Sequence, residues 1–376
     1  MTTWLRLWSL VTLALITGLT GCQESTENDG KRTTIQKPDH TVTVIDPPAS
    51  SSSSSTGKSV TMDKMERLDG VYALDWLNER QLLISKENPD TALIDSENGK
   101  KRPFQIYIRD IATGQDKLLK GSQNLVESGP IVSPDGKHVF LHESRTFEMD
   151  GNSGVLVDVV KGGSRIVTPN DRGGLELGTW TDSDHFIVPN GRGSILDAGT
   201  DGQDNVLLTL DESAAISYAA KLGQRLYYVT NDTLSLYRLD DKTTAHVENN
   251  VWRLSASPNG SQLAVVKNTG QTERTLLLLD AADPAKRAIL GIATQFYAFD
   301  WSPDGAYIAF SVYSKEKDGL NGVYVVNAKT GKMDQLGDFQ ETGSLAWSPS
   351  GKQIMVSSSV FADNQMKYAT YLLDLK

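Results

Sequence analysis

Cysteine is almost absent: Cys22 is the only one in 376 residues, so no disulfide can form within the chain. Basic charge is also scarce. Lysine and arginine number 37 against 47 aspartates and glutamates, a formal net charge of −10, and no basic run stands out. Nucleic acid, which calls for a basic patch or stripe, is therefore not an expected partner. At 22% charged and 39% apolar residues the composition excludes a polytopic membrane protein. Missing too are a Gly-x-Ser-x-Gly elbow, a His-Glu-x-x-His pair and a glycine-rich loop leading from strand to helix. Those are the patterns of serine hydrolases, zinc peptidases and phosphate cradles. Motifs thus assign no catalytic residue, no metal and no cofactor.

What is present begins with an address. Arg6 gives a weak basic start, Leu7 to Ile16 form an apolar run, and small residues follow. The run is shorter than the ~20 residues that a membrane span requires. It ends in Leu19-Thr20-Gly21-Cys22, which resembles the lipobox of bacterial lipoproteins. The resemblance implies a signal peptide over 1–21 and a lipid anchor on Cys22, and lipid attachment accounts for a lone cysteine in an exported chain. Loss of Arg6 with the leader would leave 36 basic against 47 acidic side chains, a net charge of −11. Gln23 follows the cysteine rather than the aspartate associated with inner-membrane retention. The expected location is a cell membrane, on its outer or periplasm-facing side. Residues 22–58 hold Pro38, Pro47, Pro48 and the serine run Ser50 to Ser55. They read as a disordered tether with a coil reach of roughly 30–35 Å.

The rest, 59–376, is built on a repeat. Trp301-Ser302-Pro303-Asp304-Gly305 followed by an apolar run reads as strand, tight turn, strand. Proline pre-sets φ, aspartate bonds its own backbone, and glycine takes the left-handed position. The turn recurs at Ser133–Gly136, Ser257–Gly260 and Ser348–Gly351, with weaker copies after Trp76, after Trp180 and at Leu222-Gly223. A second mark interleaves with it: apolar strands ending at Asp110, Asp158, Asp197, Asp240, Asp280, Asn327 and Asp374, at intervals of 39 to 48 residues. Each interval holds about four short strands, the content of a propeller blade. The expected fold is all-β, a single β-propeller of seven four-stranded blades, with six as the alternative. The last unit lacks a fourth strand, and Val60 to Met65 can supply it, closing the ring by pairing N- and C-terminal strands.

These Ser-Pro-Asp-Gly units resemble the repeats of the TolB-like propeller family, and more loosely the YqgU-like lipoproteins. The resemblance covers 60–376 and implies a binding role in the cell envelope. It does not locate a site.

Three local patterns invite a chemical reading. His138 and His142 share one strand face about 13 Å apart, too far to hold one ion, so packing is expected. Asp197 to Asn205 resembles part of a calcium loop but has Gly199 and Leu208 where ligands belong, and an acidic β-turn is expected. Asp75 and Asp300 each precede a tryptophan at matching places, a repetition that points to structure.

Binding residues concentrate on loops. Topology places the loops between second and third strands, and those between blades, on one face. Arg145, Arg172, Arg192, Trp252, Phe296, Tyr297 and Tyr313 are the candidate partner-binding residues there, arginine and aromatics being common interface anchors. The resulting expectation is a monomeric, non-catalytic binding module for an envelope protein or cell-wall glycan. The alternative is a propeller enzyme, of lactonase or glycan-acting hydrolase type, with its site in the central channel.

Overall fold

The computed structural model describes residues 32–37, 40–45 and 59–376, the last span without 98, 122–123, 150, 169–177, 340–341 and 364. Every element among them is a strand. Seven four-stranded antiparallel units form a β-propeller, so the count of seven stands and six is set aside. In chain order blade 1 covers 73–118, blade 2 126–168, blade 3 179–209, blade 4 216–248, blade 5 251–293 and blade 6 295–337. Blade 7 takes three strands from Thr342–Trp347, Gln353–Ala362 and Gln365–Leu375. Its outermost strand is Met62–Asp69, which pairs with Gln365–Leu375 from Met62↔Leu375 to Asp69↔Ala369. The ring closes as expected, and the two chain-terminal strands have no free edge toward each other.

The sequence alternation explains how the blades pack. Buried apolar residues sort into seven clusters, one in each seam between neighbouring blades. Within blade 7, Leu345, Trp347, Ile354, Val356 and Leu373 face blade 6, while Ala346, Met355 and Leu372 face blade 1. Both faces of a blade are covered, so its strands are apolar at nearly every position. Each fully buried Leu, Ile, Val or Phe contributes roughly 1.5–3 kcal/mol, spread over seven packets instead of one core.

The turns behave as their chemistry requires. Ser302 Oγ donates to Asp304 Oδ1 at 2.6 Å, Asp304 Oδ1 accepts the Ala306 N–H at 2.9 Å, and Ser302 Oγ accepts the Tyr307 N–H at 2.9 Å. Gly305 donates to the Ser302 carbonyl and has φ +68°. Ser133–Gly136 and Ser257–Gly260 repeat this arrangement.

Within the segment expected to be a tether, two short strands are described. Arg32–Lys37 and His40–Ile45 form a hairpin, and the second strand runs parallel beside Arg287–Ala293, the outer strand of blade 5. An outer blade edge offers unpaired backbone groups, which an extended segment can satisfy. Cys22 and the leader lie outside the described residues.

Candidate functional site at the channel mouth

Strand order gives the propeller two faces. One carries the Ser-Pro-x-Gly turns; the other, here the loop face, carries the connections between blades and between second and third strands. The long loop of blade 1 contains a small hairpin, Ile94–Ser96 with Gly99–Lys101. Phe104 beside this loop meets Phe147 of the blade 2 loop edge-on at 6.4 Å. Lys315, in the blade 6 loop, donates to Thr272 Oγ1 of blade 5 at 2.8 Å. These contacts tie neighbouring loops together.

The innermost strands have a shared irregularity near the loop face. In blades 1, 4, 5, 6 and 7 one residue is skipped in the pairing with the second strand: Leu74, Ser217, Trp252, Tyr297 and Gly343. Blade 2 skips two, Gly129 and Pro130. A β-bulge re-aims the extra side chain out of the ladder. That residue lies near the loop-face end of the innermost strand, which has no neighbouring strand on its axial side. Most of these positions are small or aliphatic. Trp252 and Tyr297, from adjacent blades, supply aromatic rings.

Trp252 is 38% exposed, and the Arg274 guanidinium lies over its ring at 4.1 Å. Burial pulls the Arg274 pKa down from its ordinary value, and its Nη1 is covered without a hydrogen-bond partner among the described residues. Such a stacked cation is worth roughly 0.5–2 kcal/mol and fixes the ring. The Tyr297 carbonyl accepts from Arg253 Nη1 at 3.5 Å, and Arg253 also covers Phe299 at 5.2 Å.

The other expected residues divide. Tyr313, at the loop-face end of its strand, is 47% exposed, and Arg145 and Arg192 are exposed on loops of blades 2 and 3. Only Trp252 and Tyr297 share the bulge position. Phe296 is corrected: it is fully buried in the seam between blades 5 and 6, with Phe310 at 5.7 Å, and cannot meet a partner. The bulge reverses the side on which successive residues emerge, so Tyr297 faces out and Phe296 in. Arg172 lies outside the described residues. Arg274 was not singled out from the sequence, and its only signal there is a cation at the start of an apolar third strand.

The channel aspartates are latches. Asp75 accepts the Trp76 N–H at 2.8 Å and the Val132 N–H of blade 2 at 3.4 Å. Asp300 does the same with Trp301 and, across the seam, with Trp347 of blade 7, both at 2.9 Å. Burial, then the charge of Asp300, pushes Asp75 up to about 7; burial pushes Asp300 up to about 6 against its backbone donors and Arg253. The ladder bonds they complete agree with a structural role.

His138 lies 6.4 Å from the Trp180 ring and His142 packs edge-on against Phe140, so both are packing groups as expected. Asp197 accepts from His185 Nδ1 at 2.9 Å and Lys221 Nζ at 3.0 Å, while Gly199 to Gln203 form a tight turn. No group of three or more His, Cys, Asp or Glu arranged to hold a metal occurs among the described residues.

No protein-family model matches the chain, and no curated protein matches its sequence. Solved structures do match. An oligogalacturonate lyase in complex with manganese shares 16% identity over 92% of this chain and 96% of that chain, with a TM-score of 0.55. An oligogalacturonate lyase from Vibrio parahaemolyticus shares 14% over 84% and 98%, also at 0.55. TolB from Acinetobacter baumannii shares 14% over 79% and 65%, at 0.47, below the level that carries a structural argument. At such identities the likeness to the lyases is one of fold, and the chain is a β-propeller similar to theirs.

Proposed function

We propose that this protein is a lipid-anchored, extracytoplasmic binding module whose channel mouth on the loop face engages an envelope protein or a cell-wall glycan. One observation carries the reading: Trp252 stands exposed at a β-bulge of the innermost strand, with Arg274 stacked on it. A large ring held in place loses little entropy on binding, and tryptophan and arginine are among the residues enriched at binding hot spots. Both protein surfaces and the apolar faces of sugars can stack on such a ring. The Leu19–Cys22 motif supports the anchor. A likeness of fold to two lyases supplies no catalytic constellation for this chain, so no enzymatic reading is advanced from it.

The test is crosslinking in intact cells with Cys22 retained, comparing the native protein with Trp252→Ala. A partner or glycan captured by the native protein and lost in the variant, with folding and export unchanged, bears the proposal out. Equal capture by both moves the site elsewhere on the molecule.

A further inference from the structure

The outer strand of blade 7, Met62–Asp69, is the one blade strand supplied from the other end of the propeller sequence, so the ring is closed only as firmly as this strand is held. Its ladder to Gln365–Leu375 is one contribution and side-chain packing is the other. The packing is thin. Three of the strand's residues are apolar, Met62, Met65 and Leu68, and only Leu68 is half-buried, against the seam with blade 1. Met62 and Met65 line a groove of about 360 Å³ at the rim beside blade 6, where Leu336, Phe339 and Tyr371 are the other apolar walls. Lys64 with Glu66, Arg67 with Asp69 and Lys376 with Asp63 are pairs of exposed charges, which hold little. Two of the three apolar side chains that fasten the ring are therefore methionines.

Those methionines are also open to solvent. Six methionines lie among the described residues. Three are exposed, all in blade 7: Met62 at 37%, Met65 at 47% and Met366 at 45%. Met355, in the same blade, is fully buried. A leucine in the groove would resist a peroxide, whereas a thioether reacts with it. The sulfur lone pair forms an S–O bond, the O–O bond breaks, and the proton of the transferred hydroxyl passes to the departing hydroxide, which leaves as water. Sulfur is oxidised and the peroxide is reduced. The sulfoxide is polar and chiral, and it is a poor occupant of a wall shared with Leu336, Phe339 and Tyr371. Methionine sulfoxide reductases return it to the thioether, so the change is reversible.

We propose that Met62 and Met65 are a reversible oxidation site for hydroperoxides, and that their oxidation loosens the strand that closes the ring. This site is independent of the channel mouth. Loosening uncovers the edge of Gln365–Leu375, whose backbone groups then lack partners.

The test treats the full chain with hydrogen peroxide, maps each methionine by mass spectrometry and follows amide hydrogen exchange strand by strand. Met62 and Met65 should react roughly tenfold faster than Met355, and their oxidation should speed exchange in Met62–Asp69 roughly fivefold, with the outer strands of blades 1 to 6 unchanged. The double variant Met62→Leu, Met65→Leu keeps the apolar contacts and should show no acceleration under the same treatment. Met366 stays oxidisable in that variant, so any loosening that arises there is seen separately. A methionine sulfoxide reductase should restore slow exchange in the native chain, a reading that needs no variant. Four results overturn the proposal: Met62 and Met65 reacting no faster than Met355, oxidation of both without faster exchange, equal acceleration in the double variant, or exchange that stays fast after the reductase has removed the oxygen.

Discussion

Raising the pH from 5 to 8 should loosen the ring, and the two latch carboxylates set the size of the effect. Asp75 stands at about 7 and Asp300 at about 6 in the folded protein, both against the ordinary aspartate value of 3.8. Between the unfolded and folded values the native state holds a proton that the unfolded chain has released. Stability contributed by these groups is therefore full below pH 4 and is lost as pH rises through about 6 and 7. At 1.36 kcal/mol per unit, the shifts set ceilings of roughly 4 kcal/mol for Asp75 and 3 for Asp300. The two are not additive, because Asp300 is among the causes of the Asp75 shift. Only about two units of the Asp75 shift and one of the Asp300 shift lie between pH 5 and 8, and the latches are only partly covered, so a net loss of about 1–3 kcal/mol over that range is expected. The surface aspartates act elsewhere. Asp135 is lowered to about 2, and Asp110, Asp158, Asp211 and Asp241 are lowered by their turn donors, so their stabilisation is lost only in acid. Urea unfolding followed by tryptophan fluorescence, at fixed ionic strength, measures the slope. The double variant Asp75→Asn, Asp300→Asn should be less stable at pH 5, since each amide has one acceptor for two N–H groups, but flatter with pH. A parallel slope in both proteins would refute the assignment to the latches.

Other outcomes follow from the same geometry. Gly136→Ala places a Cβ 2.6 Å from the Leu77 carbonyl at φ +70°, and should cost about 2 kcal/mol in the same unfolding assay. Asp304→Ala removes the acceptor shared by Ser302 and Ala306, and should cost about 1 kcal/mol, against near-neutrality for Asp304→Asn. Deleting residues 59–69 bares the edge of Gln365–Leu375, and light scattering should show more association than for the full chain. Trp252→Ala removes the ring under Arg274 and should cost about 1–2 kcal/mol in the unfolding assay while losing partner capture, and Trp252→Phe should recover much of the stability.

How far the sequence could be read depends on the range of the forces involved. The turns are local: Ser302, Asp304 and Gly305 satisfy one another within six residues, so their recurrence counted the blades before any coordinates. The closing strand was legible for a related reason, because the last unit lacked a partner for its outer edge and only Val60 to Met65 was left to fill it. Blade architecture and ring closure were thus determined by the sequence alone.

The site was decided by tertiary structure. Phe296 and Tyr297 are adjacent aromatics with nothing in their composition to rank them, and a bulge sends Phe296 into the seam and leaves Tyr297 half-buried outside it. Arg274 reaches Trp252 across a blade, 22 residues along the chain. Trp347 takes the same place before a turn as Trp76, Trp180 and Trp301, yet of the four only its indole has no carbonyl acceptor among the described residues. Turn formation is governed by a few neighbouring dihedrals and side-chain bonds. The direction of a side chain on a bulged strand depends on strand register within its blade, and whether a buried indole finds its acceptor depends on how two blades meet.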